Sequence, residues 1–164
     1  MIKEELITKM TEFNAGDPKQ IQHLIKVYEF AHTIGVKECI DQGTLRILDI
    51  ASIMHDIGIK PAREKYGNSN GKLQEQEGPA YAKIMLGEFK DISDEEINRV
   101  CYLIAHHHTY EEIDGIDYQI LLEADFLVNA FEDRLEKEEI SHFRNKIFKT
   151  KTGIYLLNTM FGLE

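Results

Sequence analysis

Four side chains place histidine or carboxylate where an apolar helical face calls for a hydrophobic residue: His23, His55, Asp56 and Asp125. His23 shares its face with Val27 and Ala31, one and two turns further on. His55 and Asp56 close the most apolar stretch of the chain, directly after Ile50, Ala51, Ile53 and Met54. Asp125 follows Leu121 and Leu122 at helical spacing and precedes Phe126. Taken singly, an inward histidine is more often a hydrogen-bonded core residue, and an inward aspartate caps or pairs. Taken together, two imidazoles and two carboxylates from three helices can satisfy one another by binding a divalent cation, which accepts mixed N/O ligands and keeps sites open for water.

A second cluster is His106-His107-His108. Ile97, Val100, Cys101 and Ile104 define an apolar stripe, and three or four residues beyond Ile104 lie His107 and His108. These two should face inward and His106 outward. The alternative is a solvated helix end where imidazolium complements the dipole.

The elements that must carry these residues read as all-α, because apolar positions recur every three or four residues and two-residue alternation is not sustained. A first helix is predicted over 2–13, and a second after the Asp17-Pro18 start signal, with Gly35 interrupting it before a short 36–40 extension. Thr44 is predicted to cap a central helix reaching about Ile57. Gly58 to Glu77 reads as a turn-rich loop, with helix resuming after Gly78-Pro79. Ser93-Asp-Glu-Glu96 is a capping signature for the helix leading to the histidines. Helices over Ile120 to about Leu135 and Ile140 to Phe161 complete the chain, with Tyr155, Leu156, Leu157, Met160 and Phe161 expected to cover the core. No repeat, linker or low-complexity tract divides residues 1–164, so a compact single-domain helical bundle is expected.

With 19 Lys+Arg against 29 Asp+Glu, the formal charge of −10 argues against a general grip on nucleic acid polymers or an anionic membrane. No apolar run is long enough to span a bilayer. The N-terminal residues mix charges throughout and lack the apolar core of a signal peptide. Two cysteines, Cys39 and Cys101, are too few for a disulfide framework, and a reducing, cytoplasmic setting is expected. The oligomeric state is left open.

The set from Gln22-His23-Leu-Ile-Lys26-Val27 through Met54-His55-Asp56-Ile-Gly58 and Ala105-His-His-His108 to Glu123-Ala-Asp125-Phe126 resembles the HD superfamily of metal-dependent phosphohydrolases. The resemblance implies a bundle of about six helices, as the family has, and His23, His55, Asp56 and Asp125 as ligands of a first divalent metal, with Mn, Fe, Co, Ni, Zn or Mg all compatible. Members with a second metal usually add a histidine before a Gly-x-x-x-Ala segment. Here Gln74 stands in that position, while His107 and His108 keep the later one, so one metal is expected and a second is left open. Glu75 or Glu77 would then supply an oxygen ligand or a proton, and Glu77 joins Asp56 as a candidate catalytic residue. Lys60, Arg63, Lys65 and Lys72 of the 58–77 segment are candidate phosphate contacts, Lys60, Arg63 and Lys72 foremost. The expected activity is hydrolysis of a nucleotide or other small phosphate ester, with a phosphomonoesterase preferred. The alternative is a non-catalytic, metal-stabilised module that senses a nucleotide or docks a partner.

Overall fold

The computed structural model describes residues 2–163. Among them it contains nine helices and no strand. The helix α1 (Ile2–Phe13) buries Leu6 and Met10, one turn apart, against α3. Asp17 caps α2 (Pro18–Lys37) by accepting from the Gln20 N–H at 3.0 Å, and Pro18 opens the helix where its missing N–H costs nothing. Gly35 does not interrupt α2. It is buried, and a Cβ there would lie 2.8 Å from Leu45 Cδ1, so glycine serves the α2–α3 approach. The cap of α3 (Gln42–Met54) is Asp41 rather than Thr44: its carboxylate accepts from the Thr44 N–H at 3.0 Å and from the Thr44 hydroxyl at 2.6 Å.

The segment expected as a long loop is mostly helical, with α4 (Ile59–Tyr66) and α5 (Gly71–Leu86) separated by a short connection. Pro61 sits in the first turn of α4, where proline is tolerated, and Asn70 caps α5. Pro79 lies inside α5 instead of starting a helix, so this helix forgoes one backbone hydrogen bond. The reciprocal capping box of Ser93 and Glu96 opens α6 (Asp94–Ile104). After α7 (Ile116–Glu132), the last predicted helix is two, α8 (Lys137–Ile147) and α9 (Lys151–Phe161), with Thr150 capping the second. Leu157 is buried, Leu156 and Phe161 pack against the core, and Tyr155 and Met160 are exposed.

Two helices are buried nearly all round. From Leu48 to Met54 every residue of α3 is buried, and so is every residue of α7 from Asp117 to Val128. The helix α2 packs against both, and they pack against each other. The three helices bearing His23, His55 and Asp125 therefore share one interior.

The turn after α3 is held against α5 by a close backbone approach. A Cβ at Gly58 would lie 2.4 Å from the Gln74 carbonyl oxygen and 2.9 Å from the Gly78 nitrogen. Gly58 has an ordinary φ of −72°, so the requirement is space and not conformation. Gly58→Ala is expected to destabilise the fold by about 1–3 kcal/mol through overpacking, read as a lower urea midpoint. An unchanged midpoint would show that α5 is not seated on this turn.

Candidate metal centre

His55 is the cap residue at the C-terminus of α3, and its Nδ1 donates to the Ser52 carbonyl at 2.9 Å. His107 stands in the same relation to α6, with Nδ1 2.7 Å from the Ile104 carbonyl. Each ring thus satisfies a free carbonyl at a helix end and turns Nε2 the other way. His23 Nδ1 donates to Glu132 Oε2 at 3.0 Å, and Lys26 Nζ holds the other Glu132 oxygen at 2.5 Å. All three Nε2 atoms consequently face one place.

Two carboxylates meet them there. His23 Nε2 lies 3.2 Å from Asp125 Oδ1 and 3.4 Å from Asp56 Oδ2, and His55 Nε2 lies 3.3 Å from Asp125 Oδ1 and 3.6 Å from Asp56 Oδ1. His107 Nε2 is 3.2 Å from Asp56 Oδ1, and the His23 and His55 Nε2 atoms are 3.3 Å apart. Gln20 Nε2 donates to Asp56 Oδ2 at 3.0 Å, and Asn129 Nδ2 to Asp125 Oδ1 at 2.9 Å. His23, His55, Asp56, Asp125 and His107 are all buried. Burial pushes both aspartates upward, but the surrounding imidazoles outweigh it and hold them below the usual carboxylate range. Burial likewise disfavours charge on His23, yet Asp125, Asp56 and Glu132 raise its pKa to about 9.

The donor set suits a divalent transition metal, with imidazole nitrogens and carboxylate oxygens aimed inward and their outer atoms fixed by second partners. Candidate ligand atoms of His23, His55 and Asp56 lie within 4.8 Å of one another, as do those of Asp56, His107 and His108, so Asp56 belongs to both groups. His108 is half-buried at the edge, with Nε2 2.9 Å from Gln74 Oε1. Gln74 in turn donates to the Ser69 carbonyl at 2.6 Å. Burial and the neighbouring His107 lower the His108 pKa to about 4, which keeps the ring neutral. His106 takes no part: it stacks on Tyr102, ring centroids 4.2 Å apart.

Several candidates lie elsewhere. Glu77 is buried but bound to Lys65 and to the Tyr66 hydroxyl at 2.9 Å, contacts that hold its carboxyl below the ordinary range. It is neither turned to the cluster nor poised to donate a proton. Glu75 accepts from the His108 N–H and the Thr109 hydroxyl, both at 2.9 Å, and so fixes the loop that carries the histidines. Lys60 donates to the Phe13 carbonyl at 2.9 Å, and Arg63 pairs with Asp17 at 3.5 Å; both line a separate cavity beside residues 14–17. Lys72 is exposed and does not line the cavity that opens onto the cluster. The residues missed in the sequence are Glu132 and Gln20. Glu132 lies two turns beyond Asp125 on the same face, and that spacing was the available signal.

A cavity of about 240 Å³ opens onto the cluster, lined by Lys19, Gln20, His23, Asp56, Gln74 and His108 among others. A larger one of about 680 Å³, between α1, α2 and α3, contains none of the cluster residues.

Fold and cluster together define an all-α protein with buried histidine and aspartate side chains converging from helices α2, α3 and α7 and the turn after α6. The family model for the HD domain matches residues 21–149, and the chain belongs to that family. A solved structure of a predicted HD superfamily hydrolase from an uncultured Thermotogales bacterium shares the fold, with a TM-score of 0.70 and 22% identity over 97% of this chain and 84% of that one. No curated protein matches the chain.

Glu132→Gln is expected to weaken metal affinity about 10–100-fold, since it removes the carboxylate that orients His23, and titration with Co(II) followed by absorbance measures it. Equal affinities in the two proteins would show that Glu132 does not support the site. Metal must also displace the His23 proton, which is bound below a pKa of about 9. Affinity should therefore rise with pH between 6 and 8, by about tenfold per unit for each proton released. Calorimetry in buffers of different ionisation enthalpy counts those protons; no release would mean that His23 is not a ligand.

Proposed function

We propose that the protein is a metal-dependent phosphohydrolase acting on a small phosphate monoester, a nucleotide among the candidates. The observation that carries this reading is the convergence of the His23, His55 and His107 Nε2 atoms with Asp56 and Asp125, beneath an open cavity that His23 and Asp56 line. His23, His55, Asp56 and Asp125 would hold the cation. The chemistry a divalent cation supplies there is positive charge for the phosphoryl oxygens and a water whose pKa falls toward neutrality.

The chain's own residues do the remainder. Asp56 stays ionised among His55, His107 and His23, so it accepts hydrogen bonds and does not donate one. Gln20 fixes Asp56 Oδ2, leaving Oδ1 toward His107. His107, anchored through Nδ1, keeps Nε2 3.2 Å from Asp56 Oδ1. A second cavity of about 330 Å³ shares Lys19 and Glu132 with the first and adds Gln22 and Lys26, offering room for the leaving group. Among the described residues no helix is long and apolar enough to cross a membrane. The unpaired thiols of Cys39 and Cys101 support a cytoplasmic setting.

The second reading, a metal-stabilised module that binds a nucleotide without turnover, draws support from the His108–Gln74 hydrogen bond, which engages a ring of the second ligand group. Phosphate release separates the two. Nucleoside mono-, di- and triphosphates and cyclic dinucleotides would be assayed with Mn, Co, Ni, Zn, Fe(II) or Mg, for wild type and Asp56→Asn. Metal-dependent turnover that falls at least about a hundredfold in the variant, with helicity retained and metal content reduced, is expected. Full activity in Asp56→Asn rejects the assignment, and a folded, metal-loaded wild type without turnover favours the sensing module.

A further inference from the structure

Any anion entering the cavity over the cluster meets an acidic rim, with Glu132 and Asp133 among its lining residues. The cations nominated in the sequence do not offset it. Lys60 and Arg63 belong to another cavity, Lys65 is bound to Glu77, and Lys72 lies outside both. Lys26 is committed to Glu132. One lysine remains. Lys19 lines both the cavity over the cluster and the adjoining one, and its side chain makes no hydrogen bond or ion pair with any other described residue.

Its position is fixed by the helix. Asp17 and Pro18 set the first turn of α2, and Gln20, the next residue, is tied to Asp56 at 3.0 Å. Lys19 stands four residues before His23, hence on the same helical face and about one turn, 5.4 Å, nearer the helix start. An ammonium group on a flexible stem at that place reaches over the cavity floor while its backbone stays put.

We propose that Lys19 is the substrate-binding residue that captures the anionic oxygens of the phosphate group, the role that the sequence alone assigned to Lys60, Arg63 and Lys72. The proposal rests on the phosphohydrolase reading for its ligand class. It goes beyond that reading in naming the residue and in making Lys19 the exposed cation of the mouth.

Inorganic phosphate is the probe, titrated calorimetrically into Mn(II)-loaded wild type, Lys19→Met, Lys19→Arg and Lys60→Met. Lys19→Met should weaken phosphate binding about tenfold and flatten its salt dependence, as expected for loss of one charge-assisted hydrogen bond. Lys19→Arg should stay close to wild type, and so should Lys60→Met. For any ester that turns over, Lys19→Met should raise KM with little change in kcat. Phosphate binding by Lys19→Met equal to wild type overturns the proposal, as does a wild type that binds no phosphate. Phosphate held through Lys19 with no ester hydrolysed would uphold the residue's role and refute the hydrolase. Turnover that is indifferent to Lys19 would do the reverse.

Discussion

The structure depends on a mutual burial: Asp56 and Asp125 are taken out of water together with the imidazoles of His23, His55 and His107. A carboxylate buried alone costs several kcal/mol even after relaxation of its surroundings. Here each one faces at least two imidazoles and accepts a side-chain amide hydrogen bond, from Gln20 or from Asn129. The compensation works only if α2, α3, α7 and the turn after α6 arrive together, because no single element holds a complete set of partners. The arrangement whose donor set suits a cation is also the one that makes these residues tolerable in the interior.

Hydrophobic packing cannot by itself set the rotation of α7. A helix buried all round presents apolar surface in every direction, so directional contacts must choose its register. Several polar residues of α7 are tied to other elements. Asp117 accepts from Arg99 of α6, which also holds Asp114; Gln119 donates to the Ile147 carbonyl of α8; Glu132 reaches His23 and Lys26 of α2. Glu123 accepts the Lys149 and Thr150 N–H groups and the Thr150 hydroxyl, and burial raises its pKa in spite of them. The Tyr118 hydroxyl lies 2.9 Å and 2.6 Å from the carbonyls of His106 and Thr109, clasping the histidine loop. Asp125 is thus aimed by contacts distributed along the whole helix.

What was legible in the sequence follows from the range of each signal. The starts of α2 and α6 are written within three residues, at Asp17-Pro18 and Ser93 to Glu96, and both stand in the structure. The cluster residues announced themselves as polar groups on apolar stripes, a property of their own helices. Partners fixed by tertiary contact left no such trace. Glu77 looked free because nothing local shows that Lys65 and Tyr66, a helix earlier, turn toward it. Lys60 looked like a phosphate contact because its bond to the Phe13 carbonyl spans 47 residues. The 58–77 segment looked like a loop because Pro61, Gly67, Asn68-Ser-Asn70 and Gly71 read as breaks. In the structure Pro61 fits a first helical turn, Gly67 supplies a left-handed cap, and Asn70 caps α5, which Gly71 opens.

The same distinction between local and summed properties governs electrostatics. A charge of −10 describes the molecule from afar, but at physiological ionic strength exposed charges are screened beyond about 8 Å. An anion at the cavity mouth therefore responds to the groups lining it and hardly to the total. There Glu132 is offset by Lys26 and His23, the aspartates are enclosed by imidazoles, and the exposed charges left are those of Lys19 and Asp133. The excess of acidic residues therefore bears on an extended polyanion more than on a small anion, because a polymer samples the whole surface and a small anion samples only the mouth.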